Sequence, residues 1–205
     1  MATEIEMKLS VPDKETLDRV LSDTELLQYA KDDFEIRRMV STYYDTPDNL
    51  LHQRKWTLRL RDEGGHLVVA FKTANMSDAA GFFTRNEWQC AVDNIEDAIP
   101  ILIDQGAPRE LKSLLKGKGL VPCCGADFQR RSVCLYMDEG VRIEMAGDYG
   151  ILFAGETQIP ICELEMELLY GDAGSLPPLC EQLMVDYSLR EERRSKYERA
   201  RSLAL

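Results

Sequence analysis

The 205-residue chain contains no CxxC pair, no Gly-rich phosphate loop, no Ser nucleophile elbow and no zinc motif. Any phosphate recognition must therefore come from side chains and not from a backbone cradle. Its apolar stretches fall well short of the roughly 18 residues needed to span a bilayer, which argues against a transmembrane segment. Histidine is scarce, with only His52 and His66, both next to predicted turns and read as surface residues. There is no internal repeat and no low-complexity linker, so residues 1–205 are read as one domain. Basic residues are outnumbered, 25 against 36 acidic, for a formal charge of -11. That balance disfavours a general nucleic-acid or membrane-surface binder, although an acidic exterior can still enclose a basic site. Six cysteines without ligand spacing or a secretory signal read as reduced thiols of a cytoplasmic protein. The adjacent Cys123 and Cys124 raise redox or soft-metal chemistry, but no partner at ligand spacing accompanies them.

What is abundant is charge at alternate positions. Glu4, Glu6 and Lys8 alternate with Ile5, Met7 and Leu9, and Glu163, Glu165 and Glu167 alternate with Leu164, Met166 and Leu168. Side chains along a strand point to opposite faces with period two, so each segment has one apolar and one anionic face. Repeating one charge sign along a face is repulsive unless cations compensate it. Basic residues recur at the same spacing: Arg59 and Arg61 between leucines, Lys72 after an apolar run, Arg85 with Glu87, Arg130 or Arg131, and Arg142 with Glu144. If these strands form one closed antiparallel sheet, the charged faces converge on a lumen and the apolar faces pack outward against helices, reversing the usual small barrel.

The expected elements are eight or nine strands with helices between and after them. Strands are expected over residues 3–9, 35–44, 55–62, 66–72, 82–92, 121–137, 141–146, 150–153 and around 163–168, with Gly147-Asp148-Tyr149-Gly150 as a turn. Helices are expected after an Asp13 N-cap, around 50–54, in two pieces over 95–115, over 175–185 and over 191–203. The class is α+β, an antiparallel barrel with surrounding and C-terminal helices.

Carboxylates are hard oxygen ligands suited to Mg²⁺ or Mn²⁺, usually shared with substrate phosphates. Glu4, Glu6, Glu163 and Glu165 are the preferred ligands on this reading. Lys8, Arg59, Arg61, Lys72 and Arg85 are the preferred contacts for an extended phosphate chain. The bland reading of the same residues is an internal salt-bridge lattice, an expensive way to hold a barrel together.

Glu4-Ile5-Glu6-Met7-Lys8 resembles the ExExK signature of the CYTH superfamily, the triphosphate tunnel metalloenzymes. Tyr43-Tyr44-Asp45-Thr46-Pro47, Leu58-Arg59-Leu60-Arg61, Phe71-Lys72-Thr73, Arg85-x-Glu87, Ile143-Glu144, Glu163-Leu164-Glu165-Met166-Glu167 and Ser195-Lys196 follow in the family's order over nearly the whole chain. The resemblance implies an eight-stranded tunnel barrel, divalent-metal dependence and a small triphosphate substrate. Carried residue by residue, it adds Glu167 to the metal ligands, and Arg130 and Lys196 to the phosphate contacts. It makes Glu87, Glu144 and Asp148 candidates for placing a second metal or the attacking water, with Lys8 counted among the catalytic groups.

Within the superfamily the chain resembles bacterial inorganic triphosphatases, including the segment that precedes a CHAD (conserved histidine α-helical) domain; Arg194-Ser195-Lys196-Tyr197-Glu198-Arg199-Ala200 supports that subgroup. No CHAD-like segment follows Leu205, so a stand-alone form or a shortened chain is expected. The implied reaction is hydrolysis of tripolyphosphate to pyrophosphate and phosphate by a monomer or homodimer. The alternatives are an adenylyl cyclase, a thiamine triphosphatase and a non-enzymatic polyphosphate-binding module. The segment after Glu191 is expected to plug one mouth of the tunnel and deliver Lys196 to the substrate.

Overall fold

A computed structural model describes residues 2–73 and 83–204, without the side chains of 2–4, 83–85 and 139. The elements in order are β1 (Ala2–Ser10), α1 (Lys14–Val20), α2 (Thr24–Leu27), β2 (Glu35–Asp45), α3 (Leu50–Gln53), β3 (Thr57–Glu63), β4 (Leu67–Lys72) and β5 (Phe83–Ala91). They continue with α4 (Ile95–Asp104), α5 (Glu110–Leu115), β6 (Val121–Tyr136), β7 (Arg142–Ala154), β8 (Thr157–Tyr170), α6 (Leu176–Tyr187), β9 (Arg190–Glu191) and α7 (Lys196–Arg201). No helix among the described residues is long and apolar enough to cross a membrane.

The strands are paired antiparallel in the order β5-β4-β3-β2-β6-β7-β8-β1-β9, and β5 pairs back onto β1. β5 joins residues 2–6 of β1 while β8 joins residues 6–10, so the two ends of the sheet meet along a staggered seam with Glu6 flanked on both sides. This is the antiparallel α+β tunnel architecture that the alternation implies. Leu9, Val133, Leu135, Ile143, Met145, Leu164 and Met166 face outward and pack with Leu17 and Val20 of α1, its C-cap Leu21, and Leu176, Cys180 and Leu183 of α6. Leu58, Val69, Phe71 and Trp88 do the same against Leu51 of α3, Ala98 and Leu102 of α4 and Leu111 of α5. Burying these outer faces stabilises the ring by about 1.5–3 kcal/mol per large side chain, and it leaves the opposite, charged faces to the interior.

Local signals explain most boundaries. The Asp13 carboxylate accepts from the Thr16 N–H and starts α1, as expected. Gly64 and Gly65 turn the β3–β4 hairpin at φ +72° and +99°, a region L side chains rarely adopt. The buried Asp45 carboxylate accepts from the N–H groups of Thr46, Leu51 and His52, so the Asp45-Thr46-Pro47 corner ends β2 and starts α3. Both His52 and His66 are exposed, as expected.

Two expectations are corrected. Gly147-Asp148-Tyr149-Gly150 is not a turn; β7 runs through it unbroken. Those glycines mark close approach: a Cβ at Gly150 would lie 2.2 Å from the Asp127 carbonyl oxygen, and one at Gly147 would lie 2.6 Å from Leu21 Cδ1. The final helix begins at Lys196, not near Glu191, because Ser195 and Glu198 form a reciprocal capping box there. Arg190–Glu191 pairs instead with Leu9–Ser10.

The interior is also less uniformly polar than the alternation implies. Towards one end the inward positions of β2, β6, β7 and β8 are Met39, Tyr43, Cys124, Ala126, Phe128, Leu152 and Ile161, and they seat Tyr197 and Ala200 of α7. That end of the ring is filled by a helix, with Lys196, Tyr197, Arg199 and Ala200 all buried.

Candidate functional site

A cavity of 210 Å³ occupies the remaining interior. It lies below the roughly 300–1,000 Å³ of pockets for drug-sized ligands, which suits a small ligand. Its lining includes ten of the predicted residues: Glu6, Lys8, Arg59, Arg61, Lys72, Glu87, Arg130, Glu165, Glu167 and Lys196. Glu144, Asp148 and Glu163 stand outside the lining, and the side chains of Glu4 and Arg85 lie outside those described.

One wall is acidic and internally compensated. The pairing puts Glu6 directly opposite Glu167, and Glu167 directly opposite Glu144, so three carboxylate positions cross β1, β8 and β7 in a row. Beside them Lys8 lies 3.3 Å from both Glu6 and Glu165. Arg130 clamps Asp148 through Nε at 2.8 Å and Nη2 at 2.6 Å, and Nη2 also reaches Glu165. Lys196 enters from α7 and contacts Asp148 at 2.7 Å, Glu165 at 2.8 Å and Glu163. Behind it Arg199 donates to Glu163, which is fully buried.

The opposite wall is cationic. Arg59 and Arg61 alternate inward on β3. Arg61 donates to the Ser41 hydroxyl at 3.1 Å and meets Glu63 only at 3.5 Å. Arg59 makes no ion pair among the described residues, and its buried Nε has no hydrogen-bond partner. Lys72 pairs with Glu87 at 2.9 Å on the neighbouring strands.

Sequence patterning left one question open, whether Arg130 or Arg131 faces inward. Arg130 does; Arg131 points outward to Asp18 at 2.9 Å and stacks over Phe34. Arg199 received no role, although it lies three residues after Lys196 and so shares its helix face, a signal legible once the helix start is right. Tyr43 and Tyr197, whose rings are 5.2 Å apart, line the α7 end of the cavity and were also missed.

The chain matches the CYTH domain family over residues 2–200. It belongs to that family. The inorganic triphosphatase of Haemophilus influenzae is 31% identical over 159 residues, which are 78% of this chain and 44% of that protein. The match thus spans less than half the length of that relative. Among solved structures, this CYTH chain resembles HpAC1 from Hippeastrum, described as a candidate adenylyl cyclase with a dominant triphosphatase activity (TM-score 0.64, 19% identity, 98% of this chain and 97% of that one). It also resembles the PH1819 protein of Pyrococcus horikoshii (TM-score 0.55, 17% identity, 95% and 96% coverage). These two likenesses concern the fold.

The electrostatics of the CYTH interior follow from its two walls. Burial by itself would lower Lys8 and Lys196, but Glu6 and Glu165 around Lys8, and Asp148 and Glu163 around Lys196, hold both amines above the ordinary lysine range. Burial would raise Glu165, yet Lys196, Arg130 and Lys8 hold it well below the usual carboxylate range. Arg61 goes the other way: burial, then the charges of Arg59 and Arg130, bring its guanidinium down to about 10. Glu144 is raised by burial, with Arg130 opposing and Glu165 and Asp148 adding to the rise. Among the described residues, Asp148, Glu163 and Glu165 of the acidic wall are therefore matched by cations, while Arg59 and Arg61 of the cationic wall have no carboxylate closer than 3.5 Å.

Hard-metal chemistry fits this donor set. The facing row of Glu6, Glu167 and Glu144 gives oxygen donors on adjacent strands, where facing like charges are otherwise unfavourable. A second acidic group, Asp148, Glu163 and Glu165, has carboxylate oxygens within 4.8 Å of one another, but Lys196, Arg130 and Arg199 already pair with it.

Proposed function

We propose that this protein is a metal-dependent triphosphatase that hydrolyses inorganic tripolyphosphate to pyrophosphate and phosphate. The observation that carries the reading is the pair of half-buried Arg59 and buried Arg61, without a close carboxylate partner among the described residues, facing Glu6, Glu165 and Glu167 across one small cavity. Guanidinium forks match phosphate oxygens, and an anion between the walls would supply the charge that Arg61 lacks. The triphosphatase activity of the H. influenzae relative supports the same reading.

Glu6, Glu167 and Glu144 are the residues we assign to hold Mg²⁺ or Mn²⁺, with Glu165 at their side and Glu4, on the same strand as Glu6, as a further candidate. Bound there, the ion would act as a Lewis acid on phosphate oxygens and offset developing charge. Arg59, Arg61 and Lys72, with Arg85 from the neighbouring strand, bind the substrate's oxygens along the cationic wall. Lys8, Arg130 and Lys196 approach from the acidic side and fix the chain's orientation, which favours attack by water in line with the leaving pyrophosphate. Glu87, which lines the cavity beside Lys72, is the residue we assign to orient that water. Glu163 and Asp148 act through the cations they hold: Glu163 anchors Lys196 and Arg199, and Asp148 anchors Arg130 and Lys196.

Phosphate release from tripolyphosphate, ATP and thiamine triphosphate, measured in parallel with Mg²⁺, Mn²⁺ or chelator, tests the reading. Metal-dependent preference for tripolyphosphate is the expected outcome. Cyclic AMP from ATP would move the chain to the cyclase activity, and a preference for thiamine triphosphate would narrow it to that substrate. Tight polyphosphate binding without turnover would make it a binding module.

A further inference from the structure

Arg199 lines no part of the cavity, yet it sits directly behind the lysine that α7 brings there. Lys196 opens α7 and Arg199 follows three residues later, so both project from one face of the helix. That face grips the Glu163 carboxylate at both oxygens: Lys196 Nζ contacts Oε1, and Arg199 Nη2 donates to Oε2. Glu163 is fully buried and lies outside the lining. On its far side Arg199 meets Glu192, whose carboxylate lies 4.0 Å from Nε and whose backbone N–H donates to the Lys8 carbonyl oxygen at 2.9 Å.

α7 has other anchors. Tyr197 and Ala200 fill the apolar end of the ring, Ser195 and Glu198 cap the helix start, and Arg201 reaches Asn49 at 2.7 Å and Asp45 at 3.9 Å. A buried ion pair seldom adds net stability over apolar packing, so the consequence of Arg199 lies in what Glu163 does to Lys196. The Lys196 amine is shared among Glu163 behind it, Asp148 at 2.7 Å, and Glu165 at 2.8 Å on the cavity wall. Asp148 and Glu165 each have Arg130 as a second cation, and Glu165 also has Lys8. Arg199 does for Glu163 what Arg130 does for them. Without it, among the described residues, Lys196 would be the one cation left to a fully buried carboxylate, where Coulomb attraction is several times stronger than in water. The ammonium would be drawn towards Glu163 and away from the lining.

We propose that Arg199 is a positioning residue: by sharing the charge of Glu163, it keeps that carboxylate from withdrawing Lys196 from the substrate. The inference rests on the triphosphatase reading for what Lys196 touches, while the charge sharing stands on the ion pairs alone. Arg199 itself touches no substrate and acts through Glu163 and Lys196 in turn. A seating role and a charge-sharing role part at Glu163. If Arg199 only seats α7, adding Glu163→Gln to Arg199→Ala removes one more buried contact and lowers activity further. If it shares charge, the second change removes the competitor and returns Lys196 to the cavity.

The test is a double-variant cycle on the full chain, with wild type, Arg199→Ala, Glu163→Gln and the two combined, and with Arg199→Lys as the conservative variant. Turnover of tripolyphosphate with Mg²⁺, or of ATP if the wild type prefers it, is measured well below each variant's thermal midpoint. The side-chain ammonium resonance of Lys196 is followed in isotope-labelled protein, assigned by its loss in Lys196→Ala. Arg199→Ala should lower kcat about 10- to 100-fold, the scale on which small misplacements act, while KM moves less than about threefold because Arg59, Arg61 and Lys72 still hold the chain. Arg199→Lys should recover most of that loss, and Glu163→Gln added to Arg199→Ala should recover much of it. The resonance should shift far more when Arg199→Ala is made in the wild type than in the Glu163→Gln background. A combined variant slower than Arg199→Ala, or wild-type kcat in Arg199→Ala, would overturn the positioning role. A wild type that turns over no triphosphate would overturn the proposed function instead. The resonance then decides alone, and equal shifts in the two backgrounds would overturn the charge sharing.

Discussion

The two walls of the cavity are built alike and finished differently. Both consist of strands with alternating charge, both turn charged side chains towards the cavity, and both turn an apolar face outward. Yet on the β1–β7–β8 side Asp148, Glu163 and Glu165 are each contacted by at least one of Lys8, Arg130, Lys196 and Arg199. On the β3 side, among the described residues, Arg59 has no such partner and Arg61 only a distant one. Buried charges without partners are costly to maintain, and a protein that keeps them is positioned to gain when an oppositely charged ligand arrives. The difference separates residues that hold the site's shape from residues that await its occupant.

The largest effect should come from the carboxylate row. Glu6→Ala removes one of three facing oxygen donors, and metal-dependent phosphate release should fall by a factor on the order of 100 or more, reflecting the several kcal/mol a Lewis acid supplies. Wild-type turnover in this variant would end the ligand role. Next is Lys196→Ala, which strips a shared cation from Asp148, Glu163 and Glu165. Breaking a buried ion pair from one side costs about 3–5 kcal/mol, so chemical denaturation should show a loss of that order together with a fall in kcat. Unchanged KM and kcat would show that α7 only fills the ring.

Arg59→Ala probes the other wall and should behave in the opposite sense. With no ion-pair partner among the described residues to orphan, it should leave denaturation nearly unaltered while kcat/KM for tripolyphosphate falls about 10- to 150-fold, the equivalent of about 1.5–3 kcal/mol for charge-assisted hydrogen bonds. A large stability loss with intact kinetics would collapse the distinction between the walls. The smallest effect belongs to Arg131→Ala, one residue from Arg130 but outside the ring. Its half-exposed pairing with Asp18 on the outer face is worth about 0–1 kcal/mol, and steady-state kinetics should match the wild type. A kinetic defect there would mean the register of β6 is shifted by one.

Much of this arrangement was legible along the chain. The period-two alternation of 4–9, 58–61 and 163–168 determined which faces are charged, because a strand offers no other way to separate its side chains. The Asp13 cap and the Gly64-Gly65 turn marked real boundaries for local reasons that need no knowledge of the fold, whereas Lys196 was singled out only by the family resemblance.

Other features required the folded chain. Gly147 and Gly150 read locally as turn residues, and only the nearness of Leu21 and the Asp127 carbonyl shows that they allow close packing within a long strand. The apolar end of the interior was hidden because Phe128 and Leu152 carry no mark of facing inward until α7 is found against them. That Glu163 holds Lys196 and Arg199, 33 and 36 residues away, and that Arg59 lacks an ion-pair partner among the described residues, are also tertiary facts, since such pairings are set by register and helix docking. Sequence by itself determined the charged and apolar faces and the chemistry the charged faces carry. The tertiary structure alone decided which charges neutralise one another, because pairing depends on distances of a few ångströms that strand periodicity leaves open.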